Sequence, residues 1–158
     1  MKLELRDITL DDFARCLDIS VLPEQRDFTP STMFFLAEAK VNPMLVPLAI
    51  YFENTMIGFV MLGDVDKDKQ VAYLSALIID APYQRKGYGR AAVLEVARWL
   101  AIKTDCYGLW SSFASTNTAA EALCRSTDFR ITDQRYYQET VVFLSIAPYR
   151  SQTPLFIP

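Results

Sequence analysis

Between Val71 and Lys103 the spacing of apolar positions switches from that of a strand to that of a helix. Val71-Ala72-Tyr73-Leu74-Ser75-Ala76-Leu77-Ile78-Ile79 is rich in β-branched and aromatic residues and free of Pro and Gly, which predicts a largely buried strand. Asp80-Ala81-Pro82-Tyr83 ends it. From Ala91 onward, Val93, Leu94, Val96, Ala97 and Leu100 oppose Arg90, Glu95, Arg98 and Lys103, the pattern of an amphipathic helix. Gln84-Arg85-Lys86-Gly87-Tyr88-Gly89-Arg90, in between, is therefore a loop and a helix start at once.

The remaining elements follow from the same patterns. Met1 to Arg6 alternates as a strand, and Thr9 to Ile19 reads as a helix capped by Thr9 or Asp11, with Phe13, Cys16 and Leu17 on one face. Pro23 to Pro30 is a proline-bounded loop; Ser31 caps a second helix whose expected buried side is Met33, Phe34, Leu36 and Ala37. Leu48 to Phe52 and Ile57 to Leu62 form a hairpin, and Asp64 to Lys69 is a solvated charged turn. Tyr107 to Phe113 is a strand, Ser115-Thr116-Asn117 supplies cap residues for a helix over Thr118 to Thr127, and Phe129 to Tyr137 pairs with Glu139 to Ile146. The expectation is one α/β (α+β) domain over residues 1–147, then a tail over 148–158 that is irregular or loosely packed.

Composition narrows the class. The chain has 158 residues, 51% apolar and 22% charged, the profile of a soluble globular domain. A net charge of −3, with no basic block beyond Arg85-Lys86 and Arg90, argues against a nucleic-acid binder. The first residues lack the apolar core of a signal peptide, and no apolar run reaches membrane-spanning length, so no membrane association is expected. Cys16, Cys106 and Cys124 are odd in number and widely spaced, which suits reduced thiols in the cytoplasm. No histidine occurs, so a zinc site or a histidine-activated nucleophile is effectively excluded and no metal is expected.

The loop carries the chemistry. The first turn of a helix leaves backbone N–H groups without partners and carries partial positive charge. Glycines let a ligand approach such a backbone closely, and Arg85, Lys86 and Arg90 add positive charge, which together make a phosphate or pyrophosphate cradle. The bland alternative is an ordinary solvated turn. Gly87-x-Gly89-x-x-Ala92 fits the dinucleotide fingerprint loosely, but seven residues, Asp80 to Lys86, separate it from its strand, and the next strand, near Leu109-Trp110-Ser111, has no carboxylate. A nucleoside-triphosphate loop would need Gly-Lys followed by Ser or Thr, and Arg90 follows the second glycine instead.

Gln84-x-x-Gly87-x-Gly89, after a strand ending Leu77-Ile78-Ile79, resembles the acyl-CoA-binding signature of the GCN5-related N-acetyltransferase (GNAT) superfamily. The order of elements is similar to that fold over nearly the whole chain, a mixed, mostly antiparallel sheet flanked by helices. More narrowly, Leu5-Arg6-Asp7-Ile8-Thr9, Pro23-Glu24-Gln25, Leu36-Ala37-Glu38-Ala39, Ala49-Ile50-Tyr51, Ile57-Gly58-Phe59-Val60-Met61 and Tyr83-Gln84-x-Lys86-Gly87-Tyr88-Gly89 look like the bacterial spermine/spermidine acetyltransferase subgroup. The resemblance implies acetyl-CoA as donor and a primary amine, possibly a polyamine, as acceptor, with direct transfer and a possible homodimer to which Leu155-Phe156-Ile157 contributes.

Carried onto this chain, the resemblance implies that backbone groups of Leu77, Ile78 and Ile79 pair with the pantetheine arm and that Gln84 and the amides of Arg85, Lys86, Gly87, Tyr88, Gly89 and Arg90 hold the pyrophosphate. Asn117 corresponds to an asparagine that contacts the cofactor, and Glu24, with Asp27 and Glu38, to binders of a cationic amine. Glu24 and Glu139 are the carboxylates considered as base, beside a water chain. The tyrosine that usually protonates the leaving sulfur stands seven residues after that asparagine; here the position is Cys124. An ordinary thiol, near ~8.5, is a better acid than a phenol near ~10, so Cys124 is the candidate catalytic acid. The alternative is a non-catalytic acyl-CoA-binding sensor or regulatory protein of the same fold.

Overall fold

The computed structural model describes residues 2–66 and 70–150. In chain order the elements are β1 (Leu3–Asp7), α1 (Leu10–Asp18), a 3-10 segment Pro23–Phe28, α2 (Thr32–Val41), β2 (Val46–Phe52), β3 (Thr55–Asp66), β4 (Val71–Ile79), a 3-10 turn Ala81–Tyr83, α3 (Tyr88–Lys103), β5 (Gly108–Ala114), α4 (Thr118–Arg125), β6 (Arg130–Tyr136), β7 (Glu139–Ser145) and a short α5 (Ala147–Arg150). The strands form one sheet in the order β1-β2-β3-β4-β5-β7-β6, in which only β4 and β5 run parallel.

Each face of the sheet buries a different set of helices. Ala92, Val93, Val96, Ala97 and Leu100 of α3 pack on Val60, Leu62, Leu74, Leu109 and Leu144. On the opposite face Cys16 of α1 and Phe35 of α2 pack on Ala49, Phe59, Met61, Ala76 and Ile78. A bulge in β4 lets that strand serve both. The β3–β4 register steps from Met61↔Ala76 to Leu62↔Leu74, so Ser75 is an extra residue and the alternation reverses around it. Ala72 and Leu74 face α3 before the bulge; after it, Ala76 and Ile78 face α1 and α2.

Several expectations need correction. Helix α3 begins at Tyr88 rather than Ala91, because Gly87 takes the left-handed conformation (φ +85°) and serves as N-cap, which makes the glycine loop the first turn. Pro23–Phe28 winds as a 3-10 helix. In α2 the buried residues are Thr32 and Phe35, whereas Met33 and Phe34 are 42% and 53% exposed and Ala37 is also exposed. The helix docks through a narrow stripe: the Thr32 hydroxyl donates to the Cys16 carbonyl, and Phe35 stacks on Phe59 with centroids 6.0 Å apart. Likewise α1 buries Cys16 but leaves Phe13 and Leu17 in contact with solvent.

The expected loose tail starts with structure: Tyr149 is buried, and the Arg150 guanidinium donates to the carbonyls of Ala101 (2.8 Å) and Cys106 (2.5 Å). Leu155-Phe156-Ile157 and the centre of the charged turn, 67–69, lie outside the described residues.

One buried carboxylate ties α1 to the end of β4. Asp80, 4% exposed, accepts from Arg15 Nη2 at 2.5 Å, from the Ser20 N–H at 3.0 Å and from the Ala81 N–H at 3.1 Å. Arg15 also donates to the Met56 carbonyl (3.2 Å), so a single guanidinium joins α1, β3 and the turn into the glycine loop. Asp80→Ala is expected to cost about 3 kcal/mol in denaturant-measured stability, since it leaves the Arg15 charge and the Ser20 amide without their acceptor, while Asp80→Asn should cost less.

Candidate active site

The site is a gap in the sheet. β4 and β5 pair at Val71↔Gly108, Ala72↔Leu109 and Tyr73↔Trp110 and then part. Within the gap the Ser111 hydroxyl donates to the Leu74 carbonyl at 3.0 Å; among the described residues no strand covers the facing edge of β4 from there on. The resulting cleft, about 600 Å³, is lined by Leu74 to Leu77 and Ile79 of β4, Ser111 to Ala114 of β5, the start of α3 and one side of α4.

The glycine loop forms one end. No side chain caps the start of α3, and none among the described residues accepts from the amides of Arg85 to Arg90. A Cβ at Gly87 would meet nothing within 4 Å, and one at Gly89 would make only ordinary contact with Leu123 at 3.5 Å. Packing within the protein therefore does not demand glycine at Gly89, and what both glycines leave bare is the approach to the main chain. This donor set fits a diphosphate.

Of the expected cations, Lys86 turns to the Pro82 carbonyl (2.7 Å) and Arg90 to the Ser126 carbonyl (2.7 Å), leaving Arg85 free of partners among the described residues. Gln84 works inside the protein: its Nε2 donates to the Ile79 carbonyl (2.8 Å) and to Gln25 Oε1 (2.9 Å), which pins the loop to the 3-10 segment. Tyr88 packs edge-on against Phe52 and Tyr83.

The cleft brings together Leu77, Ile79, Gln84, Arg85, Gly87, Gly89, Arg90, Asn117 and Cys124. Ile78 is not on its wall, its side chain being buried toward α1 and α2. Asn117 caps α4 by accepting from the Ala120 N–H at 3.1 Å, as its position before the helix implied. Glu24 is exposed and away from the lining, because the far end of the 3-10 segment reaches the cleft; Gln25, Asp27, Phe28 and Thr29 line it instead. Glu38 is exposed and also off the wall.

The charged residues of the lining are Asp27, Arg85, Arg90 and Glu139, so positive charge gathers at the helix start and negative charge elsewhere. The arrangement around Glu139 was not legible in the sequence. Its Oε2 accepts from the Ser112 hydroxyl at 2.5 Å, and Ser112 Oγ lies 2.5 Å from the Tyr73 hydroxyl.

A profile of the acetyltransferase (GNAT) family matches residues 3–129. The chain belongs to that family. Among GNAT relatives, the spermine/spermidine N(1)-acetyltransferase of Bacillus subtilis is 27% identical over 139 residues, covering 85% of this chain and 91% of the relative. The probable spermine N(1)-acetyltransferase of Bacillus subtilis subsp. natto matches equally. The GNAT fold recurs in the spermidine N-acetyltransferase of Vibrio cholerae, solved with CoA and spermine (TM-score 0.74, 15% identity, 93% of this chain and 97% of that one). It recurs too in the PaiA N-acetyltransferase of Thermoplasma acidophilum, solved with coenzyme A (TM-score 0.69, 15% identity, 92% and 99% covered).

Burial changes the expectation that Cys124 serves as the acid. Cys124 is 8% exposed, and burial, with the Glu121 charge second, pushes its thiol from 9.0 up to about 11. The premise that this thiol is a better acid than a phenol is thereby reversed. Proton donation from such a thiol to a thiolate whose own acid lies near ~8.5 runs uphill. Cys124→Ala is expected to keep kcat within about threefold in a CoA-release assay, whereas a loss of about 100-fold would restore the thiol as acid.

The same thiol links stability to pH. Unfolding frees it to ionise near its ordinary value, so its contribution is complete below that value and is lost as pH climbs toward about 11. The fall in Tm between pH 8 and pH 10.5 should be smaller in Cys124→Ala than in the wild type, by scanning calorimetry.

Proposed function

We propose that this protein is an acetyl-CoA-dependent N-acetyltransferase acting on a small aliphatic amine, with a polyamine as the favoured acceptor. The observation that carries the reading is the charge division of the cleft, with bare amides and Arg85 at one end and Asp27 and Glu139 as carboxylates of the lining. Amides Arg85 to Arg90 and the Arg85 guanidinium hold the diphosphate of the donor. The uncovered edge of β4 from Leu74 to Ile79 takes the pantetheine arm as an added strand, and Asn117, whose Oδ1 is committed to Ala120, keeps its Nδ2 for the cofactor. Bound there, acetyl-CoA supplies an acetyl group activated as a thioester.

The acceptor enters from the side of Gln25, Asp27 and Phe28. An aliphatic ammonium titrates near ~10.4, so at neutral pH it arrives protonated and must lose a proton before its nitrogen can attack. The relatives named for spermine and spermidine favour an acceptor with several such ammonium groups. Three free cysteines suit a cytoplasmic setting, and a homodimer is compatible with the exposed face of α1 and α2.

Acetyl-CoA should bind in calorimetry, and CoA should be released on adding spermidine or spermine. Tight acetyl-CoA binding with no turnover on polyamines, aminoglycosides or peptide amines would favour the non-catalytic alternative.

A further inference from the structure

Glu139 is the first residue of β7 and lies opposite Ala114 across the β5–β7 pairing. Alternation along β5 turns Phe113 into the core with α3 and Cys124, so Ser112 points to the other face. Glu139 and the thiol therefore border the gap from opposite sides of the sheet. The Ser112 hydroxyl gives its single proton to Glu139 Oε2, so the Tyr73 hydroxyl is the donor in the Tyr73–Ser112 contact. The phenol of Tyr73 is pushed up, first by burial and also by the Glu139 charge, and so keeps its proton. Tyr73 thus orients Ser112, and Ser112 donates to the carboxylate.

That carboxylate is partly buried in the cleft and has no ion pair with any described residue, whereas the buried Asp80 is matched by Arg15. Asp27, the second carboxylate of the lining, is exposed and has no such support. A partly buried carboxylate with no ion pair to any described residue, in a cleft open to ligand, is a receptor for a cation from outside.

We propose that Glu139 receives the acceptor's ammonium and takes its proton, while Ser112 and Tyr73 are positioning residues that hold the carboxylate. This assignment rests on the amine acetyltransferase reading. In the step, the ammonium loses one proton to the carboxylate and keeps the N–H electron pair as the lone pair used for attack; the neutral carboxyl is reset by releasing that proton to water. The free carboxylate oxygen, Oε1, is the one that faces the amine.

The test compares the wild type with E139Q, S112A and S112T. For E139Q, kcat on spermidine should fall about 100-fold or more. Its acetyl-CoA affinity by calorimetry should be unchanged, and its spermidine affinity, measured calorimetrically without acetyl-CoA, should weaken about tenfold. S112A should lower kcat about tenfold with KM for acetyl-CoA unmoved, and S112T, which keeps the hydroxyl, should restore it. An E139Q enzyme with wild-type kcat and wild-type spermidine binding would overturn the assignment while leaving the acetyltransferase reading intact. A wild type that bound no acetyl-CoA would sink that reading and the assignment together.

Discussion

The parting of β4 from β5 beyond Tyr73 and Trp110 is the constraint on which the rest depends. A parallel pair in the middle of a sheet normally satisfies its backbone groups along its whole length, and here the chain forgoes that pairing over most of the strand. Structure around the gap compensates. Ser111 bridges to the Leu74 carbonyl, the Ser75 bulge redirects β4, and Asp80 fixes the far end of the strand to α1 through Arg15. The gap is held open by packing on both faces: α3 rests on one half of the core, and α1 with α2 on the other.

Because the gap passes between the two faces, one cleft touches two electrostatic environments. Among the described residues, the start of α3 offers amides without side-chain acceptors, while the carboxylates of the lining, Asp27 and Glu139, have no ion pair. Such a division suits a reaction that joins a polyanionic donor to a cationic acceptor. It also bears on the proton problem. An aliphatic ammonium, near ~10.4, must give up a proton before its nitrogen can attack, and the carboxylate side of the cleft is the side suited to that cation. Departure of a thiolate needs less help, which is consistent with a buried, weakly acidic Cys124 at the position where the family resemblance implies a tyrosine.

What was legible in the sequence was local. The strand Val71 to Ile79, the glycine loop and the long helix follow from periodicity and from Gly87, and the cap role of Asn117 follows from its place before α4. The buried stripe of α2 was hidden because Met33, Phe34, Phe35, Leu36 and Ala37 are all apolar, so periodicity could not choose among them. Long-range partners were equally hidden. Asp80 meets Arg15 across 65 positions, and Ser112 meets both Glu139 and Tyr73 only because of strand register and the gap itself. The acidity of Cys124 depends on burial, which no spacing rule supplies.

The claim at the centre of this account is that an uncapped helix start, reached through a parted sheet, grips the diphosphate of acetyl-CoA. Amide hydrogen exchange resolved over Arg85 to Arg90 tests it most directly. On saturation with acetyl-CoA these amides should slow by at least about tenfold, while those on the exposed face of α2 keep their rates. Unchanged exchange at Arg85 to Arg90, with acetyl-CoA demonstrably bound, would contradict it.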